Sequence, residues 1–408
     1  VSIDWAACTK SRMMSFIHNC LNNSGCRRDG TSQFSESFNE NGVTPPELEM
    51  WMTNLPDRLK FAPLSGLAIP GSHNAFSYSL DPNSDISPEV PDSVKQLSKV
   101  FGKITKAQVY KWSVTQSLTC REQLNAGIRY LNIRVANKSQ DKGYFYIHGL
   151  FGADIKTTLE EVVTFLHYHP GEVVFLDFEH FFFMNESHHE EFQQLLLSLF
   201  KGKICPRSQV EGLNLFSMRN KGYQVIIIYR NQTAANSPLL WFTTSFPNPW
   251  PNSIDPDCVV NFLNKKISQR VPSSFYVAQA ILTPSVGFIM KHPQSSLESA
   301  CAQVAGDAFS KWVKSQRPNV SGMNIVMYDF VHFDNHQITK LIVESNRKVI
   351  AADSTLVDPG YEFAMPTVTP MLSFVDVQSA YATPVINHKD FEQGVTTEVD
   401  TLMEDVKV

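Results

Sequence analysis

The chain has 408 residues, 43% of them hydrophobic, and 35 Lys and Arg against 40 Asp and Glu give a formal net charge of −5. That is enough apolar sequence for a large core, and the charge balance, with no long basic run, leaves no footprint for nucleic acid. No apolar segment approaches the roughly 18 residues of a membrane-spanning helix; the longest runs, such as "YQVIIIY" at 223–229, have strand length.

Residues 1–45 are polar and rich in Gly, Ser and Asn, apart from the patch "MMSFIHNCL", and are expected to form a disordered extension. The stretch "PPELEMWMTNLPDRL" that follows reads as a short amphipathic helix opening the globular part, which is expected to occupy 46–346. Within it, β-rich runs alternate with helical patterns. The strand candidates are "LSGLAI", "IRYLNIRV", "YFYIHG", "EVVFLDFE", "YQVIIIYR", "SFYVAQAIL" and "NIVMYDFV". The helical candidates are "TLEEVVTFLHYH", "HHEEFQQLLLSLF", "PDCVVNFLNKKISQ", "SSLESACAQVAGDAFSKWVKS" and "NHQITKLIVESN". Several strands are apolar on both faces, as buried parallel strands are. Seven or eight such units in about 300 residues point to an α/β fold. The expectation is a (β/α)8 TIM-type barrel, distorted or incompletely closed, in one domain, with a doubly wound sheet as the other arrangement of the same units. Residues 347–408 mix Pro, Thr and acidic residues without a period and read as a mostly irregular tail, with one added strand at "MLSFVDV".

Barrel enzymes carry their chemistry at the carboxyl ends of the strands. In "IPGSHNAF", Pro70 and Gly71 are expected to end the first strand, with His73 and Asn74 just past it. The second strand closes on Asn132 and Arg134, the third on His148, and the fourth carries Asp177, Glu179 and His180. The fifth ends on Arg230, the sixth holds Gln279, and the last carries Asp329. Residues two apart share a strand face, so Asn132 with Arg134, and Asp177 with Glu179, point the same way. Singly, each has a bland reading: a hydrogen-bonded histidine, a buried ion pair, a carboxylate on local backbone. Together they read as a set. Two histidines can act as base and acid across one phosphorus centre. An arginine between them can neutralise phosphate charge, and a carboxylate can fix one imidazole's tautomer.

With those residues laid out, "LAIPGSHNAFSYSL", "AGIRYLNIRV", "YIHGLF", "EVVFLDFEHFF" and "NIVMYDFV" resemble the X domain of phosphatidylinositol-specific phospholipase C, in particular the single-domain PI-PLC X domain-containing proteins. The resemblance runs from Leu48 to Asn346, about three-quarters of the chain, and takes in "WMTNLP", "KGYQVIIIYR" and "NPWPN". It implies that His73 is the general base for the inositol 2-hydroxyl and His148 the general acid for the departing diacylglycerol. It implies that Arg134 holds the place calcium takes in the eukaryotic signalling enzymes, and that Asp329 orients His73. Asn74, Asn132, Glu179, Arg230 and Gln279 fall on the substrate side. Two positions depart from the family pattern: Asn74 stands where the single-domain group usually has aspartate, and Asn132 replaces an acidic residue. With Arg134 in the calcium position and only Glu179 left as an acidic ligand, no metal or other cofactor is expected, calcium included.

The resemblance implies cleavage of phosphatidylinositol, or a related phospholipid at a membrane surface, to diacylglycerol and inositol cyclic phosphate. Aromatic stretches after the fourth and fifth strands, Phe181-Phe182-Phe183 and "PLLWFTTSFPNPWPN" (238–252), are candidates for lipid contact or for packing on the barrel. The alternative, favoured by Asn74 and Asn132, is a catalytically impaired barrel that binds inositol lipid or a protein. A glycerophosphodiester phosphodiesterase would need a set of metal-binding glutamates at the strand ends that is not seen. The seven cysteines form no C-x-x-C pair, and the expected location is cytoplasmic and peripheral at membranes. Secretion is the alternative, on the N-x-S/T triplets at Asn22, Asn137, Asn185, Asn231 and Asn319 and a start on Val1 instead of Met. The sequence carries no sign of the oligomeric state.

Overall fold

The computed structural model describes residues 48–138 and 143–352. Eight strands form one sheet: β1 (Ile69–Ser72), β2 (Tyr130–Asn137), β3 (Tyr144–His148), β4 (Leu150–Asp154), β5 (Val174–Phe182), β6 (Val225–Tyr229), β7 (Val277–Ala280) and β8 (Ile325–Tyr328). Six of them are parallel, side by side in the order β7, β8, β1, β2, β5, β6. The remaining two, β3 and β4, make an antiparallel hairpin on the carboxyl half of β2. "YFYIHG" is thus a strand, as expected, but it belongs to this hairpin and not to the parallel wall. The single residue Gly149 suffices to join β3 to an antiparallel partner, whereas a parallel one needs a long crossover.

Between β1 and Ser345 the α-helices are α1 (Asp92–Ser113), α2 (Cys120–Asn125), α3 (Ile155–Tyr168), α4 (Glu186–Leu199), α5 (Leu215–Asn220), α6 (Pro256–Ile267), α7 (Val286–Lys291), α8 (Gln303–Ser315) and α9 (Phe333–Ser345). Strand alternation separates two apolar layers. Leu131, Ile133, Leu176, Ile227, Ala278 and Val326 pack outward with helix residues such as Leu159, Phe165, Leu196 and Phe309. Ile69, Tyr130, Phe175, Ile228, Val277 and Met327 form the inner cluster. Continuing each inner row by two residues gives Asn132 and Arg134, Asp177, Arg230, Gln279 and Asp329. The same period that fills the barrel with apolar side chains therefore raises a polar layer at its carboxyl end.

No strand ladder joins β6 to β7. The segment 241–247 lies between them: Tyr229 N–H donates to the Trp241 carbonyl at 2.9 Å and Trp241 N–H to Ile227 at 2.8 Å. On the other side Phe275 N–H donates to Ser245 at 3.0 Å and Val277 N–H to Pro247 at 2.9 Å. Trp241 and Phe246 are fully buried there, so most of the aromatic stretch after the fifth expected strand is wall and core, not a free loop.

Four further features differ from expectation. Pro70 and Gly71 lie inside β1 and do not end it. Gly71 is required by proximity, since a Cβ would sit 3.0 Å from the Tyr130 ring and 3.3 Å from the Met327 backbone. Pro70 offers no N–H to β2, but its carbonyl accepts from Arg129 at 3.0 Å. The 22-residue α1 was not anticipated: it carries lysines at short intervals and begins at Pro91 without a side-chain cap. From Leu48 on, the stretch expected to form one short helix gives the turn Leu48–Met50 and the short helix Asp57–Lys60 among the described residues. At the other end, Arg347–Ala352 is helical beyond the expected boundary. The extension 1–45 and "MLSFVDV" lie outside the described residues.

Candidate active site

The carboxyl end of β1 delivers His73 and then Asn74, whose φ of 45° puts it in the left-handed region that asparagine tolerates better than most residues. His73 Nδ1–H donates to Asp329 Oδ1 at 2.7 Å, just past β8. A carboxylate can only accept, so the His73 proton sits on Nδ1 and Nε2 keeps its lone pair. Asn74 Nδ2–H₂ donates to that Nε2 at 3.0 Å and approaches His148 Nε2 at 3.4 Å. His148 closes β3, and its Nδ1–H donates to the carbonyl of Ser113, the last residue of α1, at 2.7 Å. The two rings lie 6.5 Å apart, inclined at 69°. Arg134, from β2, donates from Nε to Asn74 Oδ1 at 2.9 Å and from Nη1 to Glu89 Oε2 at 2.5 Å. One buried amide thus ties both imidazoles and the guanidinium together.

A bulge shapes the β2–β5 wall. The register runs Asn132 to Asp177 and Ile133 to Phe178, then Arg134 to His180, leaving Glu179 as the extra residue. The bulge re-aims the strand, so Glu179 and His180 both line the cavity although they are adjacent in sequence. Glu179 accepts Asn132 Nδ2–H at 2.8 Å and Asn248 Nδ2–H at 2.7 Å, and Gln279 holds the Asn248 carbonyl at 2.5 Å. Burial raises the Glu179 carboxyl, but the nearby Arg230 and His180 and these two amides outweigh it and keep it below its ordinary value. Burial first, then the Arg134 charge, lowers His180. His148 is pushed down to about 4, by burial and then by the Arg134 charge, with Glu89 acting the other way.

The cavity is about 400 Å³. His73, His148, Arg134, Glu179, Gln279 and Asp329 line it, with His180, Trp112, Asn248 and Trp250. Asn74 and Asn132 are buried beneath it and act as supports, not as lining. Arg230 is not brought to the cavity. Its Nε and Nη2 clamp Asp177 at 2.8 and 2.7 Å, and Nη2 also donates to the Phe246 carbonyl at 3.0 Å. Asp177 in turn accepts the Tyr130 hydroxyl, and burial pushes its carboxyl up against the pull of Arg230. Sequence reasoning missed Glu89, Asn248 and Gln116. Gln116 Nε2 holds the carbonyls of His73 and Tyr328 at 3.1 and 3.0 Å. None sits at the end of an expected strand, and only the fold shows where their loops return.

Both Glu179 oxygens already accept amide protons, Asn132 and Asn248 turn N–H groups inward, and the Arg134 cation lies beside them.

PI-PLC X domain-containing protein 3 of Danio rerio is 39% identical to this chain over 284 residues, 69% of this chain and 88% of the relative. The chain belongs to the PI-PLC X domain-containing family. The Homo sapiens protein 3 is 39% identical over 293 residues, 71% of this chain and 91% of that one. Protein 2 of Mus musculus is 40% identical over 299 residues, covering 72% and 87%. No protein-family model matches the chain. Among solved structures, the phosphatidylinositol-specific phospholipase C of Listeria monocytogenes aligns with a TM-score of 0.53 at 20% identity, over 73% of this chain and 98% of that one. A Staphylococcus aureus phosphatidylinositol-specific phospholipase C aligns at 0.53 and 16%, over 74% and 98%. These likenesses establish the fold: in this PI-PLC X domain-containing protein it is the TIM barrel of the bacterial phospholipases, distorted where segment 241–247 replaces a β6–β7 ladder.

Proposed function

We propose that this protein is a phosphodiesterase of the phospholipase C type that cleaves phosphatidylinositol without a metal ion, through His73 and His148. The observation that carries the reading is the convergence of both imidazole Nε2 atoms on Asn74 Nδ2, at 3.0 and 3.4 Å, beside Arg134 at one cavity. His73 Nε2 takes the proton of the inositol 2-hydroxyl as its oxygen bonds to phosphorus. The bond from phosphorus to the glycerol oxygen breaks, and His148 delivers its proton to that oxygen. Arg134 offsets charge on the non-bridging oxygens. The phosphodiester brings negative charge to a site where His148 is otherwise kept neutral, which favours the protonated acid. Glu179, held ionised, suits the inositol hydroxyls as an acceptor and disfavours a phosphorylated ring at that wall. The protein acts peripherally at a membrane, on the cytoplasmic side.

Release of inositol cyclic phosphate from phosphatidylinositol vesicles in EDTA tests this. Wild-type protein is expected to turn over, and His73→Ala and His148→Ala each to lose about 10²–10⁴-fold in kcat. Turnover that needs added calcium, or that survives His73→Ala, rejects the reading. Vesicle binding without turnover leaves a lipid-binding barrel.

A further inference from the structure

Asp329 serves His73 directly, but the carboxylate on the His148 side comes from a place the strand ends do not suggest. The chain after β1 runs back along the β3–β4 hairpin: Ser87 N–H donates to the Gly149 carbonyl at 2.9 Å and Asp81 N–H to Phe151 at 2.9 Å. Ile86 bridges Leu150. This backbone pairing carries Glu89 to the site, where Oε1 accepts the Gly149 N–H and Oε2 the Arg134 Nη1–H, each at 2.5 Å. Gly149 directly follows His148. One carboxylate therefore grips both the guanidinium and the residue beside the second imidazole, from a side chain about one-fifth exposed.

We propose that Glu89 is the positioning carboxylate of the acid half of the site: it fixes Arg134 and the His148–Gly149 turn in one arrangement and supplies the negative charge that holds a proton on His148. The proposal rests on the His73–His148 reading above. The groups facing His148 are Arg134 from β2, His73 from the end of β1, Glu89, and the Ser113 carbonyl of α1. Arg134 and His73 oppose its protonation, while Glu89 and the Ser113 carbonyl favour it. Among the described side chains acting on His148, Glu89 is the anion. Burial raises the Glu89 carboxyl, but His148 and Arg134 outweigh it and hold it below its ordinary value, in the ionised form. Among the described residues, Nε and Nη1 of Arg134 have partners, and Nη2 remains for a bound phosphodiester. Glu89 thus also sets which edge of the guanidinium faces the cavity.

The test separates charge from shape. Asn74 Nδ2 is 3.4 Å from His148 Nε2, so Asn74→Asp sets a second carboxylate against the same ring and is expected to raise its midpoint by about one to two units, as an adjacent opposite charge does. In that background the His148 imidazole is titrated by ¹⁵N NMR with and without Glu89→Gln, and the glutamine is expected to lower the midpoint by about one unit. On phosphatidylinositol vesicles at pH 7, Glu89→Gln alone is expected to lower kcat/KM about tenfold, the equivalent of that unit. Asn74→Asp in the same chain is expected to restore most of the loss, which a purely structural role for Glu89 would not allow. Equal His148 midpoints with and without the Glu89 carboxylate overturn the proposal, as does a kinetic loss that Asn74→Asp leaves in place. Wild-type protein that fails to turn over rejects the phospholipase reading alone, and the NMR titration still decides the role of Glu89.

Discussion

Asn74 joins three functional groups through one amide, and His148 feels the result most. Its Nε2 faces an amide donor, which favours neutral imidazole, while the Nδ1–H bond to the Ser113 carbonyl acts the other way. Folding lowers its pKa from an ordinary 6.5 to about 4, through burial and then the Arg134 charge. Between those values the unfolded chain takes up a proton that the folded chain refuses. Stability is therefore expected to fall as pH drops from about 6.5 to about 4, and to be independent of His148 above that window. Denaturant unfolding across this range, comparing wild type with His148→Gln, reads the contribution as the difference in slope; parallel curves would refute it. At this scale the sequence was informative. His73, Arg134 and Asp329 lie where strand alternation and the carboxyl-end rule put them, whereas His148 reaches the same cavity from an antiparallel strand to which that rule does not apply. Arg230 obeyed the same rule and still failed to reach the cavity, because alternation sets the face of a side chain and not its partner. Asp177, on the same inner layer one strand away, captures it.

The elements around His148 meet through a glycine. Gly149 has a φ of +68°, and a Cβ there would lie 2.0 Å from Ser113 Oγ and 2.9 Å from Ser113 Cβ. That closeness lets α1 offer its last carbonyl to His148. Gly149→Ala is expected to push the β3–β4 turn away from α1, costing about 1 kcal/mol or more in stability through the left-handed backbone alone. A larger effect is expected on kcat, as the His148–Ser113 bond is lost. Thermal unfolding with turnover on the same variant checks this, and wild-type kcat in a destabilised protein would contradict it. Neither α1 nor the hairpin role of β3 was legible in the sequence. Helix α1 is polar on average, rich in lysine and without a capping side chain, so its stability comes from packing that the sequence alone does not display. Capping chemistry also explains a pattern that sequence reading took as a hint of glycosylation. Asn185 and Asn231 accept backbone N–H groups at helix starts, and Asn319 Oδ1 accepts the Ser321 N–H at 2.8 Å. A hydroxyl residue two places on suits such turns, so these N-x-S/T triplets have a conformational reason to exist.

Across the whole molecule, two regions divide the labour of stability and contact. The amino-terminal end of the barrel is closed by a fully buried ion pair, Arg129 to Glu172, whose carboxylate also accepts the Thr53 N–H at 2.8 Å and hydroxyl at 2.6 Å. The carboxyl end stays open and carries two of the exposed aromatic side chains. Most of "PLLWFTTSFPNPWPN" was absorbed into the wall between β6 and β7, yet Trp250 remains 52% exposed at the cavity, anchored through Nε1–H to Thr283 Oγ1 at 3.0 Å. Phe183, past the end of β5, is 62% exposed at a φ of 56°. Such residues give the barrel an apolar route into a bilayer interface. Two consequences separate this from electrostatic docking. With the rings carrying the contact, binding to phosphatidylinositol vesicles is expected to change little between low and high salt, because apolar insertion is not screened. Trp250→Ala with Phe183→Ala is expected to weaken vesicle partitioning about tenfold or more, since each ring contributes on the order of 1.5–3 kcal/mol when fully buried. Phe183→Ala alone should hydrolyse a dispersed, short-chain phosphatidylinositol at close to the wild-type kcat, because Phe183 lies outside the catalytic cavity that Trp250 lines. Sedimentation with vesicles at two salt concentrations, paired with turnover of the soluble substrate, measures both. Steep salt dependence, or vesicle binding indifferent to the loss of both rings, would place the membrane contact elsewhere on the barrel.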